Sequence, residues 1–123
     1  MASIIIVSGP NEGDYYPLGH RTFVIGRGES CPIQVVDELV SRKHAQVRYD
    51  ASDDRYHLLD MKSANGVFLN GRRVEEDALL EDGDIFELGH SKLMYTIEDF
   101  EDRESALMHY KVSGQRHRST MIR

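Results

Sequence analysis

Asn65-Gly66-Val67-Phe68-Leu69-Asn70-Gly71 sets a short β-prone run between the two strongest turn signals of the chain. An Asn-Gly pair tolerates positive φ at both central positions of a tight turn, so each pair can reverse a strand. Outward from this stretch the same grammar repeats. Ile4–Val7 is a β-branched run that ends at Ser8-Gly9-Pro10-Asn11, and Thr22–Ile25 is closed by Gly26. Ala45–Tyr49 alternates small or apolar Ala45, Val47 and Tyr49 with polar Gln46 and Arg48. Arg55–Met61 is bounded by Asp53-Asp54 and Lys62-Ser63, and Ile85–Leu88 follows the turn Glu81-Asp82-Gly83-Asp84. Leu93–Ile97 alternates Leu93, Tyr95 and Ile97 with Met94 and Thr96. Many short strands with frequent turns predict an all-β sandwich or barrel, and the lack of βαβ spacing argues against a parallel nucleotide-binding sheet.

The 123 residues fit one domain over 1–99 with an appendage over 100–123. A chain of this length buries roughly two-thirds of its unfolded surface, so it needs no metal or disulfide staple. Cys31 has no second cysteine to bridge, which fits a reducing cytoplasm. No apolar run reaches the ~18 residues of a membrane span. Ile4–Val7 is too short for a signal-peptide core and has no basic region before it. The expectation is a soluble, untargeted, cytoplasmic protein with no membrane partner.

The net charge of −6 conceals a division, since all 21 acids fall within residues 1–104 and residues 105–123 carry only Lys111, Arg116, Arg118 and Arg123. An acidic body lacks the positive surface that nucleic-acid backbones require. Its basic end can meet the acidic body or an acidic partner. Glu101-Asp102-Arg103-Glu104 has the acids that favour a helix start, Ala106, Leu107 and Tyr110 share one side, and Gly114 stops the run. A short helix or a mobile tail is therefore expected beyond Phe100.

Three motifs carry chemistry. Gly26-Arg27, Ser41-Arg42-Lys43-His44 and Asn65-Gly66 follow one another at 15 residues from Gly26 to Ser41 and 24 from Ser41 to Asn65. They offer guanidinium groups, a hydroxyl and a side-chain amide, which are the groups that grip a phosphorylated peptide. Gly26 lets the backbone turn and Arg27 projects from that turn. Ser41 and Arg42 offer a hydroxyl and a second positive charge, while Lys43 has no assigned part. His44 begins an alternating strand, so it reads as a buried, neutral imidazole bonding loop backbone. Asn65 offers both a donor and an acceptor to a peptide main chain.

Other chemistries fit poorly. Ser41 and His44 lack the glycines of a nucleophile elbow and an acid placed to orient the imidazole, so a hydrolase is disfavoured. The six histidines show neither an i+4 pair nor a cysteine at ligand spacing. The acidic turn starting at Asp82 has Leu93 where a calcium loop has its twelfth-position glutamate. No metal and no cofactor are expected.

Taken together the motifs resemble the forkhead-associated (FHA) domain over residues 3–98. The matching segments are Phe23-Val24-Ile25-Gly26-Arg27, Ile33-Gln34-Val35, Val40-Ser41-Arg42-Lys43-His44-Ala45, Tyr56-His57-Leu58-Leu59-Asp60, Ser63 through Gly71, and Leu80-Glu81-Asp82-Gly83-Asp84. Each is short, and their order and spacing carry the specificity. The resemblance implies a β-sandwich of about 11 mostly antiparallel strands in two sheets, with loops at one end that bind phosphothreonine peptides. By that analogy Arg27, Ser41 and Arg42 contact the phosphate and its surroundings, and Asn65 holds the peptide backbone. Gly26, His44 and Gly66 shape the site. The implied role is an adaptor in Ser/Thr kinase signalling, with no enzymatic activity, whose partners are Thr-phosphorylated proteins.

Ala64 and Val67 depart from the family's usual hydroxyl residues, and the first change removes one contact of about 0.5–1.5 kcal/mol. A scaffold or oligomerisation module that kept the fold without phosphate dependence is the alternative. Thr120, in Arg116-His117-Arg118-Ser119-Thr120, suits a basic-directed kinase. Once phosphorylated it can dock into its own or a neighbouring site and drive self-association.

Overall fold

In a computed structural model of the chain the described residues are 2–97, and they form eleven strands and no helix. The apolar run at the start makes β1 (Ser3–Ser8), followed by β2 (Tyr15–Pro17), β3 (Phe23–Gly26) and β4 (Ile33–Gln34). The longest hairpin pairs β5 (Ala45–Asp50) with β6 (Arg55–Asp60). Then come β7 (Val67–Leu69), β8 (Arg72–Arg73), β9 (Ala78–Leu79), β10 (Ile85–Leu88) and β11 (Ser91–Thr96). The expected C-terminal helix or tail over 100–123, and Thr120 within it, lie outside the described residues.

Two sheets result. One has six strands in the order β2-β1-β11-β10-β7-β8, the other five in the order β4-β3-β5-β6-β9. Every pairing is antiparallel except β3 with β4. The expected two-sheet sandwich is what the chain forms. Ile6, Phe86 and Leu93 from one sheet meet Ile25, Val47 and Leu58 from the other, all with no exposed surface. Period-two alternation supplies these inward positions.

Five of the strands (β2, β4, β7, β8 and β9) have only two or three residues, too few for alternation to mark them, and of these only β7 is marked, by its flanking Asn-Gly turns. The β7–β8 reversal at Asn70-Gly71 has φ of 49° and 86°, as a two-residue hairpin turn requires. Strand β11 differs from its expected pattern. It ends at Thr96, Ile97 is exposed, and Met94 is as buried as the inward Leu93 and Tyr95. Met94 packs with Ile5 and Val7 on the sheet's second face, where Lys92 of the same strand is exposed.

The register fixes where the motifs meet. Ile25 pairs with Ala45, and Ala45 with Asp60, so β3 ends beside the start of β5 and the end of β6. The β3–β4, β4–β5 and β6–β7 connections therefore gather at one end of the sandwich.

Candidate functional site

At that end β3 runs into Gly26 and Arg27. A Cβ built on Gly26 would lie 2.1 Å from the Arg42 carbonyl oxygen, so only glycine allows the two backbones this close. The approach is stitched by main-chain bonds. The Arg27 N–H donates to the Ser41 carbonyl at 2.9 Å, and the Gly28 N–H to the Arg42 carbonyl at 3.1 Å. Arg27 and the 41–43 segment are thus held side by side by backbone, not by their charges.

The Arg27 Nε donates to the Val40 carbonyl at 3.0 Å, which fixes the guanidinium's direction. Among the described residues its two terminal nitrogens have no partner, so their donors are available to a ligand. Gln34 Nε2 braces the Arg27 carbonyl at 3.1 Å. An open concavity of about 630 Å³ is lined by Arg27, Gly28, Glu29, Ser30, Arg42 and Lys43. Lys43, to which the sequence assigns no part, therefore faces the same space as the two arginines. Buried Cys31 does not line this space, but its thiol donates to the Arg42 carbonyl at 3.0 Å.

His44 joins the neighbouring loops. It has no exposed surface, its Nδ1 accepts from the Ser41 N–H at 2.9 Å, and its Nε2 lies 2.7 Å from the Gly66 carbonyl. An accepting Nδ1 leaves the hydrogen on Nε2 to donate to Gly66, a neutral tautomer. Gly66, at φ 83°, presents that carbonyl, and its N–H donates to the Ser63 hydroxyl at 2.9 Å. The Ser41 hydroxyl accepts from the Ala64 N–H at 3.1 Å, which leaves its own hydrogen to donate elsewhere.

Asn65 is exposed, and its Nδ2 donates to the Leu39 carbonyl at 2.8 Å. Its side chain thereby tethers the β4–β5 connection, and its Oδ1 is directed by that tether. Ser41 and Asn65 border the 630 Å³ concavity's loops without lining it, whereas Arg27 and Arg42 line it. Gly26, His44 and Gly66 lie beneath.

Asp37 is a residue that sequence reasoning missed. It is 3% exposed, and its carboxylate accepts from the Leu39 N–H at 2.9 Å, the His90 N–H at 2.8 Å and the Ser91 hydroxyl at 3.0 Å. Burial pushes its pKa up, but these three bonds outweigh burial and hold it below the ordinary carboxylate value. Asp37 pins the loop whose next carbonyls, Leu39 and Val40, orient Asn65 and Arg27. A lone aspartate in a loop carried no sequence signal for this.

A second charged group lies on the outward face of the five-stranded sheet. Arg48 NH2 meets Asp77 at 2.8 Å and its NH1 meets Asp50 at 3.8 Å. His57 Nε2 is 2.8 Å from Asp53 and its Nδ1 3.3 Å from Asp77. Burial lowers the His57 pKa, but the two carboxylate bonds outweigh it and raise it above the ordinary histidine value. Carboxylates at both ring nitrogens favour the doubly protonated ring. Asp50, Asp53 and His57 offer ligand atoms within 4.8 Å of one another, the one such grouping among the described residues. Arg48 and His57 already supply its counter-charges, so it does not need a metal. No sequence signal marked this group, because its members come from β5, the β5–β6 turn, β6 and the turn before β9.

Comparisons with known proteins bear on the fold. A family model described as the FHA domain matches residues 23–89. An oxoglutarate dehydrogenase inhibitor of Corynebacterium jeikeium is 32% identical over 94 residues, covering 76% of this chain and 63% of that protein. The FHA domain-containing protein FhaA of Mycobacterium tuberculosis is 34% identical over 92 residues, 75% of this chain and 17% of that protein. The chain thus spans less than two-thirds of these relatives' length. Among solved structures, one from work on phosphothreonine-dependent FHA domain interactions has a TM-score of 0.70 at 29% identity, covering 80% of this chain and 98% of that one. The FhaA FHA domain complexed with the intracellular domain of Rv3910 has a TM-score of 0.68 at 30% identity, covering 77% and 99%.

Proposed function

The chain belongs to the FHA domain family, and on that premise we propose that it is a phosphothreonine-peptide-binding module, an adaptor in Ser/Thr kinase signalling. The observation that carries the reading is the Arg27 guanidinium. Its Nε is spent on the Val40 carbonyl, which aims the two free terminal nitrogens without neutralising the charge. A phosphate brings close to two negative charges and strong acceptor oxygens, and a pre-aimed guanidinium meets them with little ordering cost. Arg42 and Lys43 add charge around the same concavity. The Ser41 hydroxyl is oriented by the Ala64 N–H to donate toward the ligand. Asn65 meets the peptide main chain through Oδ1 while Nδ2 holds the loop.

The module binds and does not catalyse. His44 Nδ1 accepts from the Ser41 main-chain N–H, and Nε2 serves Gly66. The imidazole thus keeps no lone pair for the Ser41 hydroxyl, and a serine hydrolase has no general base here. The partner is a Thr-phosphorylated protein. Cytoplasm suits a chain whose single cysteine is a buried free thiol.

Titration against matched phosphothreonine, phosphoserine and unphosphorylated peptide libraries tests the reading. Binding is expected only with phosphate present. Arg27→Ala should weaken it ~30- to 100-fold, the loss of about 2–3 kcal/mol of charge-assisted bonding. Equal affinity for phosphorylated and plain peptides would instead mark a phosphorylation-independent scaffold.

A further inference from the structure

The Asn70-Gly71 turn folds β8 back along β7, and the register sets Arg73 opposite Phe68. A long side chain in such a pair also reaches a diagonal neighbour, two positions along the partner strand on the same face. For Arg73 one such neighbour is Gly66, directly before β7. A Cβ built on Gly66 would stand 3.3 Å from the Arg73 Nε, 3.4 Å from its Cζ and 3.5 Å from its Nη2. The guanidinium therefore lies against Gly66. That glycine is buried, with its carbonyl held by His44 and its N–H by the Ser63 hydroxyl, so exposed Arg73 rests on a fixed support.

The Arg73 charge is not cancelled. Among the described residues it makes no ion pair and no side-chain hydrogen bond, although Glu75 and Glu76 follow closely in sequence. Nor does it line the concavity of Arg27, Arg42 and Lys43, where the phosphate is assigned. The residue next to its support is Asn65, whose side chain is the contact assigned to the peptide main chain. Arg73 is thus an unpaired cation set at the Asn65-Gly66 turn, beside the path of the peptide and outside the phosphate's own space.

We propose that Arg73 is a further peptide-binding residue, which selects an acidic side chain near the phosphothreonine in the part of the peptide that Asn65 holds. This selection rests on the phosphothreonine-binding role and adds a second charge requirement to it. A guanidinium offers paired N–H donors that match the two oxygens of a carboxylate. Contact with Gly66 restricts where the Arg73 side chain can go, so less of its freedom is lost when an acid arrives. An exposed ion pair is modest in strength and screened by salt. Arg73 therefore sorts one phosphopeptide from another, while Arg27 supplies the affinity for phosphate.

Phosphothreonine peptides carrying Glu, Gln or Lys singly at each flanking position test it, titrated by fluorescence anisotropy into the full chain. At one position or more, the chain should prefer Glu to Gln about three- to fivefold at low salt, and less at high salt. Arg73→Gln should bring that ratio to one, and Arg73→Glu should turn the preference toward Lys. Arg72→Gln is the control, because successive strand residues point to opposite faces. It removes the same charge one residue away and should keep the Glu-to-Gln ratio. The proposal is overturned if the chain is indifferent to Glu at every position, or if Arg73→Gln keeps the preference. An equal loss in Arg72→Gln overturns it too, since net charge would then be the cause. Failure of every phosphopeptide to bind, neutral ones included, would instead overturn the phosphothreonine-binding role, and this selection with it.

Discussion

Two clusters of charge sit on this sandwich, and they are built in opposite ways. At the loop end Arg27, Arg42 and Lys43 surround an open concavity, where the Arg27 side chain is aimed by the Val40 carbonyl and main-chain bonds hold the Ser41-Arg42 backbone beside it. On the outward face of the five-stranded sheet, Arg48 and His57 are held by Asp50, Asp53 and Asp77, charge against charge. Backbone carbonyls orient a cation without cancelling it, whereas carboxylates do both. A cluster of the first kind retains a field for a ligand, and one of the second kind has spent its field on itself. Residue type alone does not separate binding from bracing, but the partners do.

The two histidines give the sharpest test of this contrast. His44→Ala removes a fully buried ring and strips the Ser41 N–H and Gly66 carbonyl of their partner. Two orphaned groups and a cavity should cost about 4 kcal/mol in denaturant unfolding. His57→Ala deletes bonds to part-exposed carboxylates and should cost less than ~1 kcal/mol. Equal losses would remove the distinction between a brace and a surface cluster.

The arginines test it on binding. Against the loss expected of Arg27→Ala, Arg48→Ala should leave phosphopeptide affinity within about twofold, because its charge is already paired. Lys43→Ala should lie between, weakening binding a few-fold at low salt and less as salt screens the exposed ammonium. Titration calorimetry at two ionic strengths reads all three.

Asp37 is an acid that works for the cationic end. Asp37→Asn keeps the shape but loses charge-assisted bonds to the Leu39 and His90 N–H groups, and should cost about 2 kcal/mol of stability. Its lowered pKa sets the sign of the pH effect. Its contribution is complete above the ordinary carboxylate value and is lost as pH falls through the folded value. Acid unfolding of the Asn variant should therefore lack that part of the pH dependence.

Much of this architecture is legible in the residues. Alternation marks the six longer strands and the Asn-Gly pairs mark short β7, because each satisfies a local rule that survives tertiary packing. Strands of two residues such as Ile33–Gln34 exist only through their pairing, here a parallel one with β3, and have no local signature. The site divides likewise. Arg27, Ser41, Arg42 and Asn65 stand out by motif, but the Val40 and Leu39 carbonyls that aim Arg27 and Asn65 belong to backbone, which every sequence contains. Asp37 stayed hidden because its partners are 53 and 54 residues away. Lys43 gained a place only from the fold of its loop.

The smallest expected effect is the pH response of His57, and it bears directly on how the self-paired cluster is made. Carboxylates at both nitrogens favour the protonated ring, against the push of burial. Its raised pKa means that its contribution is complete below the ordinary histidine value of ~6.5 and fades as pH rises through the folded value. Asp53→Asn and Asp77→Asn should each move the His57 titration, followed by its ring proton shifts, toward lower pH, and the double variant further still. The loop-end affinity for a phosphopeptide should stay level across the same variants, since His57 shares no bond with that end. A His57 titration unmoved by either substitution would mean that the cluster is not held by its own carboxylates. If phosphopeptide affinity instead tracked the His57 titration, the two clusters would be coupled through β5 and β6, and the loop end would not be an independent site.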